Sequence, residues 1–246
     1  MDIIYKFTSE INERDKNNWY SVLKGDSSLS KEWFYNLFSC KFEKNIYGDS
    51  LHLFAYDNEK CVGIQTFQRN DVDDIISFQS CDSVVDQGYK RRGIFSKMVS
   101  IGTDILPREA LIYGFPNNNS LPAFLKLGWE VRYREKYVFF SDINKIPEME
   151  KDYFNWLVQS NPELFFQKKS GYYLVLKRKK YNLFVVFGKI KIDKSQDILL
   201  PRLPLFPMKI NYDRNGKIGN GMVLITKGHT YDNVDIPNYK MDTLIY

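Results

Sequence analysis

The chain has 246 residues, enough for one large domain or two small ones, and its 43% hydrophobic and 16% aromatic content excludes a disordered chain. Lys and Arg number 35 against 30 Asp and Glu, and a net charge of +5 is too mild to imply nucleic-acid binding by itself. Three widely spaced cysteines (Cys40, Cys61, Cys81) and two distant histidines argue against a disulfide framework, a zinc knuckle and any metal site, so a reducing cytoplasm fits best.

The opening "MDIIYKFTSEINERDKNN" has acidic residues among its first ten and no long apolar core, so it does not read as a signal peptide. No window reaches the ~18 apolar residues of a membrane span. "DIIYKF" (2–7) predicts a strand, and Ser9 is placed to cap a helix from about Glu10 to Leu23. Ser30 caps a second helix with Trp33, Phe34 and Phe38 at helical spacing. Residues 50–70 predict a hairpin around "DNEK", and 73–85 a further strand. A helix then runs to about Ile105, where Pro107 bars continuation. "EALIYGFP" (109–116) predicts a strand, Asn119 or Ser120 caps a short helix ended by Gly128, and "WEVRYREKYVFF" (129–140) predicts a last pair of strands.

This order predicts an α/β (α+β) fold, a mixed sheet with helices on both faces. The boundaries read as a first domain over 1–142 and a β-rich accessory domain over 143–246. The second part predicts a helix carrying Phe154 and Leu157, a hairpin over 171–192 around "RKKYN", an extended proline-rich stretch over 197–209, and strands at 221–228 and 242–246. "EWFYN" before the first hairpin and "DYFNW" before the second form a weak internal echo, offset by about 120 residues. It is either a chance likeness of aromatic-rich segments or the trace of a degenerate second copy.

The densest chemistry lies in "YKRRGIFSKM" (89–98), where Lys90, Arg91 and Arg92 crowd the start of a helix. Cations there oppose the helix dipole and repel one another. A bound polyanion relieves both, since the N–H groups near Gly93 have no intrahelical acceptor and glycine admits close approach. "GKIGNG" (216–221) mimics such a loop, but a β-like run follows it, so it predicts a hairpin turn.

"SVVDQGYKRRGIFSKMVS" resembles motif A of the GNAT acyltransferases, Gln/Arg-x-x-Gly-x-Gly/Ala, and "YGFPNNNSLPAFLKLGWE" resembles their motif B. With the matching order of elements, the resemblance covers roughly residues 1–142. The resemblance implies a GNAT-type sheet and an N-acetyltransferase that binds the pyrophosphate of acetyl-coenzyme A at Lys90, Arg91, Arg92, Gly93, Ile94, Phe95 and Ser96. It implies further contacts from Val84, Val85 and Asn117, the pantetheine arm lying between the strands at 77–85 and 109–115. Phe95 stands where the family has Gly or Ala, so its ring must turn into the core between helix and sheet, sharing a face with Ile94 and Met98. Phe124 stands where many members carry a proton-donating tyrosine, which leaves water or Tyr113 for that step. Asp82 is either the general base or a structural aspartate at a bulge, Asp86 is a cap, and Cys81 lacks a neighbouring histidine to activate it. The implied acceptor is a small amine, an amino sugar by resemblance to accessory-lobe acetyltransferases, and a homodimer stays open. Two other classes remain: an enzyme moving amino acids from aminoacyl-tRNA to peptidoglycan precursors, with "LKRKKYN" (176–182) touching RNA, and a non-catalytic acyl-coenzyme A-binding module.

Overall fold

The computed structural model describes residues 1–25, 30–160, 164–178, 183–192, 208–213, 217–228, 234–237 and 240. The chain divides into two compact units, one of residues 1–132, 224–234 and 246, the other of residues 133–223 and 235–245.

In the first unit, β1 (Asp2–Phe7) leads through a 3-10 turn to α1 (Glu13–Lys24). The cap of α1 is Asn12, not Ser9: the Asn12 side chain accepts from Asp15 N–H while Asp15 returns the bond to Asn12 N–H. Ser9 is drawn away because its hydroxyl donates to Asp49. Ser30 caps α2 (Lys31–Phe38) as expected, accepting from Trp33 N–H, and one π-type turn, Ser39–Glu43, follows. Trp19, Val22 and Leu23 give α1 one apolar stripe, and Phe34, Leu37 and Phe38 do the same for α2. The stripes close over Trp19, whose ring lies 5.2 to 6.4 Å from those of Phe34, Phe38, Phe42, His52 and Phe54.

β2 (Leu51–Asp57), β3 (Lys60–Arg69) and β4 (Ser77–Val85) form an antiparallel meander with β1 on its outer side. α3 (Ile94–Ile105) then crosses back, so that β5 (Leu111–Gly114) lies parallel to β4. α3 packs closely on the sheet: a Cβ on Gly63 would press on Ile94 and Met98, and one on Gly102 would overlap Phe67. α4 (Leu121–Lys126) ends at Gly128, whose φ of +73° suits glycine.

The stretch expected as a final strand pair is one strand, β6 (Glu130–Phe139). It holds no Gly, Pro, Asn or Asp that could turn the chain. The strand that joins β5 comes instead from far downstream: β11 (Ile218–Lys227) pairs antiparallel through Ile225, Thr226 and Lys227. Residues 218–221, expected in a hairpin turn, belong to this strand.

The second unit holds α5 (Lys151–Ser160), the antiparallel strands β7 (Leu164–Lys169), β8 (Tyr172–Arg178) and β9 (Leu183–Lys191), and β10 (Met208–Asp213), which runs parallel to β9 and antiparallel to β6. Buried Phe154 and Leu157 on α5 follow the sequence reading. The meander β7-β8-β9 followed by a parallel strand repeats the connection of β2-β3-β4 and β5, register break included: one lies at Ile64/Thr66, the other at Val175/Leu176. This topology supports the second-copy reading of the echo. The expected extended stretch at 197–207, the turn at 179–182 and the strand at 242–246 lie outside the described residues.

His52 sits fully buried, its Nε2 2.9 Å from the Thr8 hydroxyl and its Nδ1 3.1 Å from that of Thr66. Burial, then the nearby Lys41 ammonium, pushes its pKa down to about 3. The unfolded chain takes up this proton near the ordinary value of 6.5 while the folded chain resists it. Stability from this residue is therefore complete above pH 6.5 and falls by about 1.4 kcal/mol per unit between there and about 3. Urea unfolding at pH 7 and pH 5 should show a loss of roughly 2 kcal/mol attributable to His52, absent in His52→Asn; equal losses in both proteins would assign the acid sensitivity elsewhere.

Candidate functional site

The parting of β4 from β5 defines the site. Their ladder runs only from Ser77/Leu111 to Ser80/Gly114, while β4 continues to Val85. Cys81 to Val85 thus have no strand partner on the β5 side among the described residues, although Val84 and Val85 still pair with Ile64 and Gly63 of β3. A register break opposite Ile64/Thr66 accompanies the change, and Asp82 occupies it at φ +48°. In a parallel β-α-β unit, ligands bind beyond the carboxyl ends of strands where neighbours diverge.

Asp82 is not exposed to that opening. Its carboxylate lies 2.8 Å from Lys41 Nζ, and the two side chains are 2% and 1% exposed. This geometry favours the structural alternative, because a carboxylate buried against an ammonium lacks room to take a substrate proton. Beside the bulge Ser83 donates to Gln65, and Gln65 Nε2 donates to Ser80 Oγ at 3.0 Å, a polar row on the side of the sheet that carries α3. Val84 packs its side chain into the Trp19 core, and because Asp86 N–H donates to Val62 O of β3, the alternation along the strand turns the backbone groups of Val85 toward the opening.

The basic loop is held at the same end. Asp86 caps as expected: one carboxylate oxygen accepts from Gly88 N–H and the other from Lys60 Nζ at 2.8 Å. The Lys60 ammonium and the Gly88 N–H hold the Asp86 carboxyl below the usual range. Tyr89 donates its hydroxyl to Asp57 at 2.8 Å, which raises the phenol's pKa, and Lys60 and Arg92 flank its ring at 5.1 and 4.9 Å. Asp57, Lys60 and Tyr89 were missed from sequence, since nothing local ties the β2–β3 turn to residue 89.

Of the three cations, Arg92 folds back and donates to Gly88 O, whereas the exposed Arg91 makes no ion pair or side-chain hydrogen bond among the described residues. Arg91 and Gly93 both have positive φ, +64° and +76°, a costly state for arginine and an ordinary one for glycine. The first intrahelical bond of α3 runs from Lys97 N–H to Gly93 O. The N–H groups of Ile94, Phe95 and Ser96 precede it and have no acceptor within the helix. A Cβ on Gly93 would meet nothing within 4 Å, so open space faces this helix end.

Phe95 does not enter the helix–sheet core with Ile94 and Met98. Its half-buried ring meets Phe124 of α4 edge-on, centroids 5.2 Å apart, and Phe124 in turn meets Trp129 at 4.8 Å. A ring directed to the sheet there would collide with the close packing at Gly63 and Gly102. Asn117 is exposed, and its Oδ1 accepts from the N–H groups of Asn119 and Ser120, an Asx turn leading into α4, whose N-cap position is held by Ser120 as expected, though without a capping bond from its side chain. Tyr113 is fully buried and donates to Asn70 O, away from any proton-transfer role. Cys81 is buried, its thiol 3.8 Å from Gln68 Oε1.

Among solved structures, this chain is similar to a candidate acetyltransferase from Pyrococcus horikoshii, with a TM-score of 0.50 and 13% identity over 72% of this chain and 68% of that one. The fold is that of the GNAT acetyltransferases. Weaker likenesses include an aminoglycoside 6'-N-acetyltransferase complexed with coenzyme A (TM-score 0.40, 14% identity, 53% of this chain and 86% of that one). Another is the ribosomal-protein-S18-alanine N-acetyltransferase of Escherichia coli (TM-score 0.39, 17% identity, 61% and 86%). No family model matches the chain, and no curated protein matches it. Within the GNAT fold, the split strands and the start of α3 occupy one end of the sheet.

The Lys41–Asp82 pair predicts a specific pattern of stability. Asp82→Asn leaves a buried ammonium without its counter-charge and should cost about 3–5 kcal/mol, whereas Lys41→Met with Asp82→Leu together should recover most of it. Urea midpoints of the natural chain and these two variants measure the difference; a neutral Asp82→Asn substitution would free Asp82 for chemistry.

Proposed function

We propose that the chain is an acyl-coenzyme A-dependent N-acetyltransferase acting on a small amine. One observation carries this reading: a helix start with unbonded N–H groups faces the same sheet end at which β4 loses its partner on the β5 side. The first feature suits a diphosphate and the second an extended amide-bearing arm, and coenzyme A contains both. Bound acetyl-coenzyme A would supply the activated acetyl group.

In this reading the N–H groups of Ile94, Phe95 and Ser96 hold the diphosphate, Gly93 admits it, and Arg91 adds charge, with Lys90 and Arg92 steering. The open backbone edge of β4 at Val85 holds the arm and polarises the thioester carbonyl, with Val84 anchoring the strand from the core side. Asp82 keeps the bulge in place through Lys41, so the acceptor's proton leaves through water. With phenylalanine at 124, water also protonates the departing thiolate. Asn117 shapes the start of α4 beside this path. An amino sugar is the acceptor class to test first, the GNAT part is proposed for residues 1–142, and a homodimer is compatible with the reading.

Calorimetric titration with acetyl-coenzyme A tests the site. Gly93→Val should weaken binding at least tenfold, and Gly93→Asn, which tolerates positive φ, should do so while keeping the melting temperature. Unchanged affinity in a folded Gly93→Asn protein would place the site elsewhere. Phe124→Tyr should alter turnover of an amine acceptor by less than about tenfold, or ~1.4 kcal/mol of barrier. An inert protein that gains steady turnover with tyrosine would make the natural chain a binder.

A further inference from the structure

We propose that β1 is a dimerisation strand: two copies of this chain join by antiparallel pairing of Asp2–Phe7 with the same strand of the second copy, centred on Ile4. β1 pairs with β2 on one side and with no other strand among the described residues. Its register with β2 is unbroken from Asp2 to Phe7, with no bulge, proline or glycine to blunt the edge. Ile4 and Tyr5 stand 40% and 52% exposed on it. β2 and β3 separate β1 from β4, about 14 Å across the sheet, so this edge is distinct from the opening proposed for coenzyme A. The interface gives the homodimer left open above a definite form, and it holds whether or not the chain transfers acetyl groups.

The backbone groups set the register. Thr8 N–H donates to Ser50 O at 3.0 Å, one step beyond the Phe7–Leu51 pair. Alternation along an antiparallel strand then directs the N–H and C=O groups of Lys6, Ile4 and Asp2 to β2, and those of Phe7, Tyr5 and Ile3 outward. Phe7 agrees with this, because its N–H donates to the Glu10 carboxylate at 2.8 Å and not to a strand. Glu10 thereby closes one end of the edge, and Ile3 and Tyr5 remain as the residues of β1 with outward N–H groups. In a two-fold pair centred on Ile4, Ile3 of each copy meets Tyr5 of the other, and each such pair exchanges both hydrogen bonds. The pairing uses the same edge of both copies, so assembly closes at two.

The side chains match in the same register. Ile4 meets its own counterpart on the axis and Tyr5 meets Ile3, so both exposed apolar residues leave water. Asp2 stands opposite Lys6 of the second copy, on the face that carries Ile4. Asp2 is exposed and forms no ion pair among the described residues. Lys6 is held at 2.7 Å by Asp15, a bond that orients its ammonium and uses one of the three donors, so Asp2 of the second copy meets a fixed cation. Moving the register by two residues sets Ile4 against Asp2 or Lys6 and separates both charge pairs. Moving it by one sets outward backbone groups against inward ones.

Sedimentation of the full chain from about 5 μM to about 500 μM tests the assignment. The natural chain should show a reversible monomer–dimer equilibrium. Ile4→Lys places two ammoniums on the axis and Ile4→Glu two carboxylates. Each alone should raise the dissociation constant about tenfold or more with the melting temperature unchanged, and an equimolar mixture of the two should recover the dimer. Tyr5→Pro removes an outward N–H that β2 does not use, and should weaken the dimer to the same degree. A natural chain that stays monomeric throughout, a dimer indifferent to Ile4→Lys and Tyr5→Pro, or a mixture no tighter than its components would each overturn the proposal.

Discussion

Everything at the candidate site depends on one extra residue in β4. Because Asp82 takes a positive φ, the strand shifts register against β3 and runs on past the end of β5. An L-residue in that conformation is strained, and the surroundings must hold it there. Lys41 does so through a buried ion pair, reaching from the turn after α2 to the middle of the sheet. The same ammonium also helps keep His52 neutral. One lysine thus fixes the backbone geometry at the opening and the charge state of the aromatic core behind it.

Two departures from the GNAT pattern turn out to be one arrangement. Phe95 stands at a small-residue position and Phe124 at a tyrosine position, and their rings touch. The ring at 95 needs somewhere to go, since the sheet side of α3 is already packed against Gly63 and Gly102. An unbranched aromatic at 124, without a hydroxyl seeking a polar partner, offers it an apolar surface. The contact links the first turn of α3 to α4 and, through Trp129, to the start of β6.

Local signals were legible. The hairpin at 51–69, the Ser30 cap, the limits of α3 and the glycine at 93 follow from periodicity, capping chemistry and φ, all contained in a few neighbouring residues. Features that depend on distant partners were not. Asn12 and Ser9 are both competent caps, and only Asp49, forty positions on from Ser9, decides between them. The role of Asp82 hinges on Lys41, and the direction of Phe95 on Phe124, pairings that no local pattern encodes. The single long β6 was within reach, since its sequence holds no turn residue; the expected pairing of its two halves overrode that signal.

The neighbour of β5 arrives late in the chain. Gly114 pairs with Ile225, so 110 residues intervene between the edge and the strand that covers it. During synthesis at about 5–20 residues per second, that edge stays open for roughly 5–20 s after β5 emerges. For this interval a nascent chain presents unpaired N–H and C=O groups beside an apolar strand, an invitation to mispairing on crowded ribosomes. β5 spans only four residues, which limits how much edge is at risk. The rate of acquiring this part of the sheet is thereby tied to the synthesis of β11, however fast α1 to α3 assemble.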